Sequence, residues 1–254
     1  SFISITAVGL YSNYKLLMDI CRTFINQIFN NMYHSVGNLV AKESIEKIYS
    51  VYKVTMLLNF WLYSMFTIVL YIIIPPFITV WIGSQYLMGH AVLIILVITF
   101  YERGMRNSIS TVKTTAGIFH EDRYAPLCQA AINLIVSIIL VQFIGIAGIF
   151  IGTLISSLMV PFWTTPYLVY RKVFNKPLRY YYRQYLYYGA IGIGAYAVAY
   201  TASYWMPSDT LLMLIFKAIV CMVVVNIIYI MVLCRTEEFK YLLGIMKNAY
   251  SLLI

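Results

Sequence analysis

The chain has 254 residues, of which 62% are hydrophobic and 11% are charged, and its formal net charge is +9. Its mean hydropathy of +0.81 and its long continuous apolar runs exclude a soluble domain and a membrane β-barrel. We therefore predict an all-α fold, a polytopic transmembrane helix bundle of about seven spans. The positive charge then reflects the placement of basic residues relative to the membrane, and no nucleic-acid partner is expected.

Seven apolar segments follow one another along the chain. Pro75-Pro76 is expected to end the second span, because proline lacks the backbone donor that a helix needs. The residues Gly145 to Gly148 predict a short hairpin between the fourth and fifth spans, and residues 235–250 predict an amphipathic helix on the membrane surface. The predicted spans cover residues 9–40, 45–74, 87–115, 124–143, 149–170, 184–205 and 210–233.

The basic residues at the connections between the predicted spans occur only at alternate connections. The connections after spans two, four and six contain no Lys or Arg. By the positive-inside rule the other set of connections is cytoplasmic, so we expect a multi-pass protein with a cytoplasmic C-terminus. The cations of that set are Lys42, Lys47, Lys113, Arg123, Arg171, Lys172, Lys176, Arg179, Arg183, Arg235, Lys240 and Lys247.

Charged and amide side chains form a stripe on the first predicted span, within residues 11–38. Offsets of four and seven place Lys15, Asp19 and Arg22 on one helix face, and Asn26 extends this face by a turn. In one interpretation Lys15 and Asp19 neutralise each other while Arg22 reaches an end of the span. We favour the other interpretation, in which the stripe borders a polar cavity, because lipid cannot solvate such charges.

A second charged group lies in the third predicted span, in the segment YERGMRNSISTVK. Glu102 precedes Arg106 by four residues, the order that favours an ion pair within a helix, whereas Arg103 points in a neighbouring direction. Two interpretations stay open for this group. It forms either a structural Glu102–Arg106 pair with Arg103 bridging to another helix, or a functional site.

The two charged spans are expected to border one cavity with a surplus of positive charge. A cationic pocket of low dielectric suits an anionic headgroup, because guanidinium groups pair well with phosphate. The asparagines would suit hydroxyl-rich ligands such as sugars. The predicted site residues are Lys15, Asp19, Arg22, Asn26, Glu102, Arg103 and Arg106.

Other reactive side chains form no recognisable motif. The four cysteines lack CxxC spacing, the three histidines lack ligand spacing, and the chain contains no Gly-rich phosphate loop, HExxH or nucleophile elbow. We therefore expect no metal site and no other cofactor, and we favour a transporter over an enzyme.

Five segments occur in an order and spacing that span most of the chain: VGLYSNYKLL, VGNLVAKES, PPFITVWIGSQYL, IGIAGIFIGTLIS and YRKVFNKPLRYY. Together they resemble the polysaccharide (O-antigen type) flippases of the multidrug/oligosaccharidyl-lipid/polysaccharide exporter superfamily. Members of that family usually have twelve to fourteen helices in two pseudo-symmetric lobes. Their eighth and tenth helices border the cavity and correspond to the first and third predicted spans here.

The resemblance implies that the chain is the C-terminal half of a two-lobed exporter, with the first lobe ahead of Ser1. Residues 1–175 would form the second lobe, with about five spans of which the first is partly truncated. Residues 176–234 would form two additional transmembrane helices, and residues 235–254 a cytoplasmic amphipathic tail.

The resemblance also implies export of an undecaprenyl-diphosphate-linked oligosaccharide by alternating access across the bacterial inner membrane, for O-antigen, lipopolysaccharide or capsule synthesis. The three arginines of the predicted site would hold the diphosphate, with Lys15 assisting. A carboxylate, Asp19 or Glu102, would pair with them or respond to a coupling proton or sodium ion. Expected partners are the lipid-linked substrate, membrane lipids and other polysaccharide-assembly membrane proteins.

Two alternatives stay open. A cation-coupled multidrug exporter of the same superfamily would favour acidic residues in the cavity, whereas basic residues dominate here. A membrane-embedded polysaccharide polymerase or acyltransferase would usually carry Arg, His or Asp in long external loops, whereas the external connections here are short.

Overall fold

The computed structural model describes residues 5–251, and the side chains of all of these except 5–7, 31–35, 41 and 245–251. Within this part of the chain the backbone forms ten α-helices and no strand, which confirms the all-α prediction. The helices are α1 (Ile5–Lys42), α2 (Ile45–Trp81), α3 (His90–Met105), α4 (Asn107–Thr115), α5 (Ala125–Ile144), α6 (Ile146–Met159), α7 (Pro161–Val169), α8 (Arg179–Tyr204), α9 (Leu211–Leu233) and α10 (Glu237–Ser251).

Four stretches of the described helices are long and apolar enough to cross a membrane. They are α2, α5, the continuous segment Ile146–Phe174 that contains α6 and α7, and α9. Many of their large apolar side chains face outward, as lipid requires; α5, for example, buries none of its residues. The chain is therefore an α-helical membrane protein.

Helix α2 lies at the centre of the bundle and contacts α1, α3, α4, α8, α9 and α10. One cluster of buried residues joins α2 to α8 and α9, where the rings of Phe60 and Tyr188 stack with centroids 4.7 Å apart. A second cluster joins α2 to α1 and α3, around Ile25, Ile74 and Phe100. This second cluster fixes α1 beside α3 and so positions the two helices that carry the charged side chains.

The prediction that Pro75-Pro76 would end the second span is wrong. Helix α2 continues through both prolines to Trp81. The side chain of Ile78, beyond the prolines, is fully buried in the cluster with α1 and α3. Packing of this last turn therefore outweighs the cost of about 3 kcal/mol or more that an interior proline imposes on an isolated helix.

The third predicted span is divided at Arg106 into α3 and α4. The side-chain amide of Asn59 in α2 donates a hydrogen bond to the carbonyl oxygen of Gly104, 2.6 Å away. The backbone N–H of Arg106 also bonds to that oxygen. A side chain that occupies a helix carbonyl interrupts the regular ladder, and this accounts for the break.

The fifth predicted span is longer than expected and bends at Val160–Pro161, between α6 and α7. It ends in one turn of π-helix, Tyr170–Phe174, and α8 then starts at Arg179 rather than at the predicted residue 184. The hairpin before it is tighter than predicted, since Gly145, with φ +60°, is the single residue between α5 and α6. The basic connection predicted between the fifth and sixth spans, residues 171–183, is therefore partly helical.

Candidate functional site

A cavity of about 280 Å³ lies between α1, α3 and α6. Two walls come from the two charged helices and the third from the N-terminal half of α6. The tyrosine hydroxyl of Tyr14 on α1 accepts a hydrogen bond from the backbone N–H of Met88, 2.9 Å away, and fixes α1 beside the segment that leads into α3. The lining residues are Tyr11, Lys15, Met18, Asp19, Arg22, Leu96, Thr99, Phe100, Arg103, Ile149, Phe150 and Thr153.

The charged stripe of α1 forms one connected ion-pair group in the wall of this cavity. Lys15 Nζ lies 2.6 Å from one carboxylate oxygen of Asp19, and Arg22 lies 3.0 Å from the other. The guanidinium of Arg22 also lies 5.9 Å from the centre of the Phe100 ring on α3. The single carboxylate is thus shared by two cations, and Arg22 stays at the cavity instead of reaching an end of the helix.

Arg103 enters the same cavity from α3. Among the side chains that the structure describes, it makes no ion pair and no hydrogen bond, although Glu102 is its neighbour in sequence. The cavity therefore contains three cations, Lys15, Arg22 and Arg103, and one carboxylate, a net of two positive charges. Such an excess favours an anionic ligand, which would supply the missing negative charge.

The uncharged part of the lining offers aromatic and hydroxyl groups. The rings of Tyr11 and Phe150 lie with centroids 4.7 Å apart, and they join α1 to α6. Thr153 on α6 accepts a hydrogen bond from Asn133 of α5 at 3.3 Å. Thr99 and Thr153 thus place hydroxyl groups near the cations, where a ligand with hydroxyl groups could bond to them.

Glu102 and Arg106 form a separate, buried group outside the cavity. Arg106 donates to both carboxylate oxygens of Glu102, at 2.5 and 3.2 Å, and also to the hydroxyl oxygen of Ser157, 2.6 Å away. Ser157 in turn donates to Glu102 at 2.7 Å. The predicted i,i+4 ion pair is present, and its two residues do not line the cavity that Arg103 enters.

Asn26, the last residue of the predicted stripe, is half-buried on α1 and lies outside the cavity lining. Sequence reasoning missed Ser157 and Thr153. Both belong to the apolar α6, in which Gly148, Gly152 and Ser156 recur every four residues, a spacing typical of close helix packing in membranes. That packing is present, since a Cβ on Gly148 would lie 2.5 Å from a backbone atom of α5. No signal in the sequence alone connects α6 to the charged helices.

Comparisons with known proteins give no match for this chain, whether by protein family, by sequence against curated proteins or by fold against solved structures. Inference about function therefore rests on the cavity and its side chains.

Proposed function

We propose that the chain forms one wall of an alternating-access transporter that flips an undecaprenyl-diphosphate-linked oligosaccharide across the bacterial inner membrane. The observation that carries this proposal is the convergence of Lys15, Arg22 and Arg103 on one cavity between α1, α3 and α6 that holds a single carboxylate. Diphosphate carries the negative charge that this group of cations lacks. The resemblance of the chain to polysaccharide flippases supports the same ligand class.

Each cavity residue has a distinct role in this proposal. Arg103, which has no carboxylate partner in the described part of the chain, provides a planar fork of donors for one phosphate group, and Arg22 provides a second. Asp19 holds Lys15 and Arg22 in place between substrates. Its release from Arg22 on substrate binding would make it available to a coupling proton or sodium ion.

The orientation is part of the proposal. The basic ends of α2, α4, α8 and α10 would face the cytoplasm, with the C-terminus, because cations are retained on that side. The cavity then lies toward the outer half of the bundle, on the side where the flipped oligosaccharide is delivered. Other membrane proteins of polysaccharide assembly would receive it there.

The test is substitution of Arg22 and of Arg103 by alanine in intact protein, in bacterial cells whose surface polysaccharide depends on it. Each charge-assisted hydrogen bond is worth about 1.5–3 kcal/mol, so each variant should lower flipping by roughly 10- to 100-fold. Surface polysaccharide is measured together with the lipid-linked intermediate, which should accumulate on the cytoplasmic leaflet.

Arg123→Ala is the matched control, since Arg123 is an exposed arginine in the turn before α5 and contacts His120 and Tyr124 rather than the cavity. It should leave polysaccharide export unchanged. Arg103→Lys, which keeps the charge without the fork, should restore part of the activity. Normal surface polysaccharide in both alanine variants at normal expression would contradict the proposal.

An Asp19 variant and an assay of the purified protein distinguish the flippase from the two alternative functions. A cation-coupled drug exporter should depend on Asp19 more than on Arg103, since its cationic substrates would be repelled by the cavity arginines. A membrane polymerase or acyltransferase should retain a transfer activity when purified in detergent without a membrane gradient. A flippase should show neither property.

A further inference from the structure

A second group of cations lies far from the cavity, at the link between the π-helical turn and α8. Five basic residues occur there within thirteen positions. Among the described side chains only Lys172 has a carboxylate partner, Glu121. The others are Arg171, Lys176, Arg179 and Arg183, and each contacts a tyrosine ring instead. Four cations without acidic partners at one place produce a stronger positive electrostatic potential, and so attract anions more strongly, than the scattered basic residues of the other connections.

The backbone shapes this link into a pocket of about 350 Å³. Asn175 adopts the left-handed conformation, with φ +50° and ψ +45°, and turns the chain back after the π-helical turn. The backbone N–H of Lys176 then bonds to the carbonyl oxygen of Tyr170 at 3.0 Å. As a result, Arg171 and Lys176 line the same pocket, together with Tyr167 and the side chain of Asn175.

The pocket lies at the edge of the apolar region and borders lipid-facing surface. The segment Ile146–Phe174 is long and apolar enough to cross a membrane, and the pocket forms where it ends. Trp163 and Tyr167, on the last turns of this segment, are 52% and 45% exposed, as is typical of aromatic side chains at the membrane–water boundary. A phosphate group in the pocket would therefore sit at the depth of lipid headgroups, with acyl chains along the exposed face of α6 and α7.

We infer that this pocket binds the headgroup of an anionic phospholipid, with Arg171 and Lys176 on its phosphodiester and Asn175 on its polar substituent. A volume of 350 Å³ equals about a dozen water molecules at roughly 30 Å³ each, enough for a phosphodiester with a small polar group. Basic pockets between membrane helices on the cytoplasmic side are suited to such headgroups. This inference rests on the orientation given under the proposed function but not on the transport activity, because the two sites share no residue.

The test is titration of the purified intact protein in detergent with phosphatidylglycerol, followed by native mass spectrometry. A saturable one-to-one complex is expected. Each cation near a lipid surface contributes about fivefold in affinity, so the double variant R171A/K176A should bind roughly 25-fold more weakly. Phosphatidylcholine, which has the same phosphodiester but no net charge, should bind much more weakly than phosphatidylglycerol.

The charge-matched control is K42A/R235A, because Lys42 and Arg235 are exposed cations at the same end of the bundle and do not line the pocket. It should change the affinity by less than about twofold. An equal loss in both double variants would overturn the inference in favour of general electrostatic attraction. Inorganic phosphate that binds as tightly as phosphatidylglycerol would overturn it in favour of a free-anion site. Circular dichroism of each variant shows whether the helices are intact.

Discussion

Charged side chains inside the bundle occur in two environments that differ in their access to water. The cavity cations are partly exposed; the side chain of Lys15 is 57% exposed and that of Arg22 is 39% exposed. Glu102 is only 3% exposed and its partner Arg106 is 12% exposed. The first group can exchange partners with a ligand, whereas the second group is held by a closed set of hydrogen bonds and serves to fix helices.

Glu102→Gln should destabilise the protein by about 3 kcal/mol. The change leaves the buried guanidinium of Arg106 without its counter-charge, and removal of one partner from a buried ion pair is far more costly than its replacement by an apolar pair. The free energy of unfolding is measured by equilibrium unfolding of the purified protein in mixed micelles with increasing SDS.

Asp19→Asn is the matched control, because Asp19 is likewise a carboxylate paired with basic side chains but is 35% exposed. It should cost less than about 1 kcal/mol, as is usual for exposed pairs. If the two variants lowered the free energy of unfolding equally, the distinction between the exposed Asp19 group and the buried Glu102 group would be contradicted.

At the scale of elements, an ion pair and an aromatic contact attach the described part of α10 to the bundle. Lys53 on α2 lies 2.9 Å from the carboxylate of Glu238, and the rings of Trp61 and Phe239 are stacked with centroids 5.8 Å apart. Thr236 begins the helix with a side-chain oxygen that accepts from the backbone N–H of Phe239. The amphipathic tail predicted from the sequence is therefore docked onto α2 at its N-terminal end.

The docking of α10 should weaken at acidic pH. Burial raises the pKa of Glu238, but hydrogen bonds from Lys53 and from the Glu238 backbone lower it by more, so the pKa lies below the ordinary glutamate value of 4.5. A carboxyl with a lowered pKa contributes stability that is fully present above pH 4.5 and is lost as the pH falls through the lowered pKa. Hydrogen exchange of the first turns of α10, corrected for intrinsic rates, measures this contribution.

Glu238→Gln should therefore reduce protection in α10 about tenfold at pH 7, since a hydrogen bond to a charged group is worth about 1.5 kcal/mol or more. The difference from the unsubstituted protein should vanish at pH values below the lowered pKa. Glu237→Gln, which removes an exposed pair with Lys240 in the same turn, should have little effect. A pH-independent difference for Glu238→Gln would contradict this explanation.

The positions at which helices continue or break could not be predicted from the local sequence alone. The two prolines of α2 are a strong local stop signal, yet the buried Ile78 keeps the helix intact beyond them. The break at Arg106 has no local signal at all, because its cause is the amide of Asn59, which bonds to Gly104 from 45 residues earlier in the chain. Both outcomes depend on contacts between helices, which periodicity within one helix does not contain.

For the molecule as a whole, the sequence predicted the helical membrane class and part of the cavity. Helical periodicity alone brought Lys15, Asp19 and Arg22 together, and charge in a second span indicated a partner helix. The sequence did not predict that α6 completes the cavity. Nor did it predict that Glu102 belongs to a buried ion pair while its neighbour Arg103 lines the cavity. Those features arise from the way α3 and α6 lie against each other, and contacts between the two helices, such as the hydrogen bonds of Glu102 and Arg106 with Ser157, determine it.

The ends of the bundle should lie on opposite sides of the membrane. Ion pairs connect the first turns of α2 to α10, the turn before α5 to α4, and the same turn to the π-helical link, so the basic connections lie together. In a cysteine-free background, Gln85→Cys and Asp209→Cys should react with a membrane-impermeant maleimide in intact cells. Glu46→Cys and Arg123→Cys should react only after the cells are permeabilised.

All four of these positions are exposed, so access to the reagent depends on the side of the membrane and not on burial. Labelling after solubilisation in detergent controls for intrinsic reactivity. Reaction of Arg123→Cys in intact cells would contradict the orientation, and reaction of only one of the two outer positions would contradict the number of crossings between them.

The Glu102–Arg106–Ser157 group has a mechanical consequence. Arg106 is the residue at which α3 gives way to α4, and Ser157 lies three positions before the bend between α6 and α7. Hydrogen bonds thus connect these two interrupted helices to each other close to the residues at which each helix is interrupted. A tilt of the N-terminal half of α3 should therefore move the N-terminal half of α6 with it, so that the two walls of the cavity that these helices form move together.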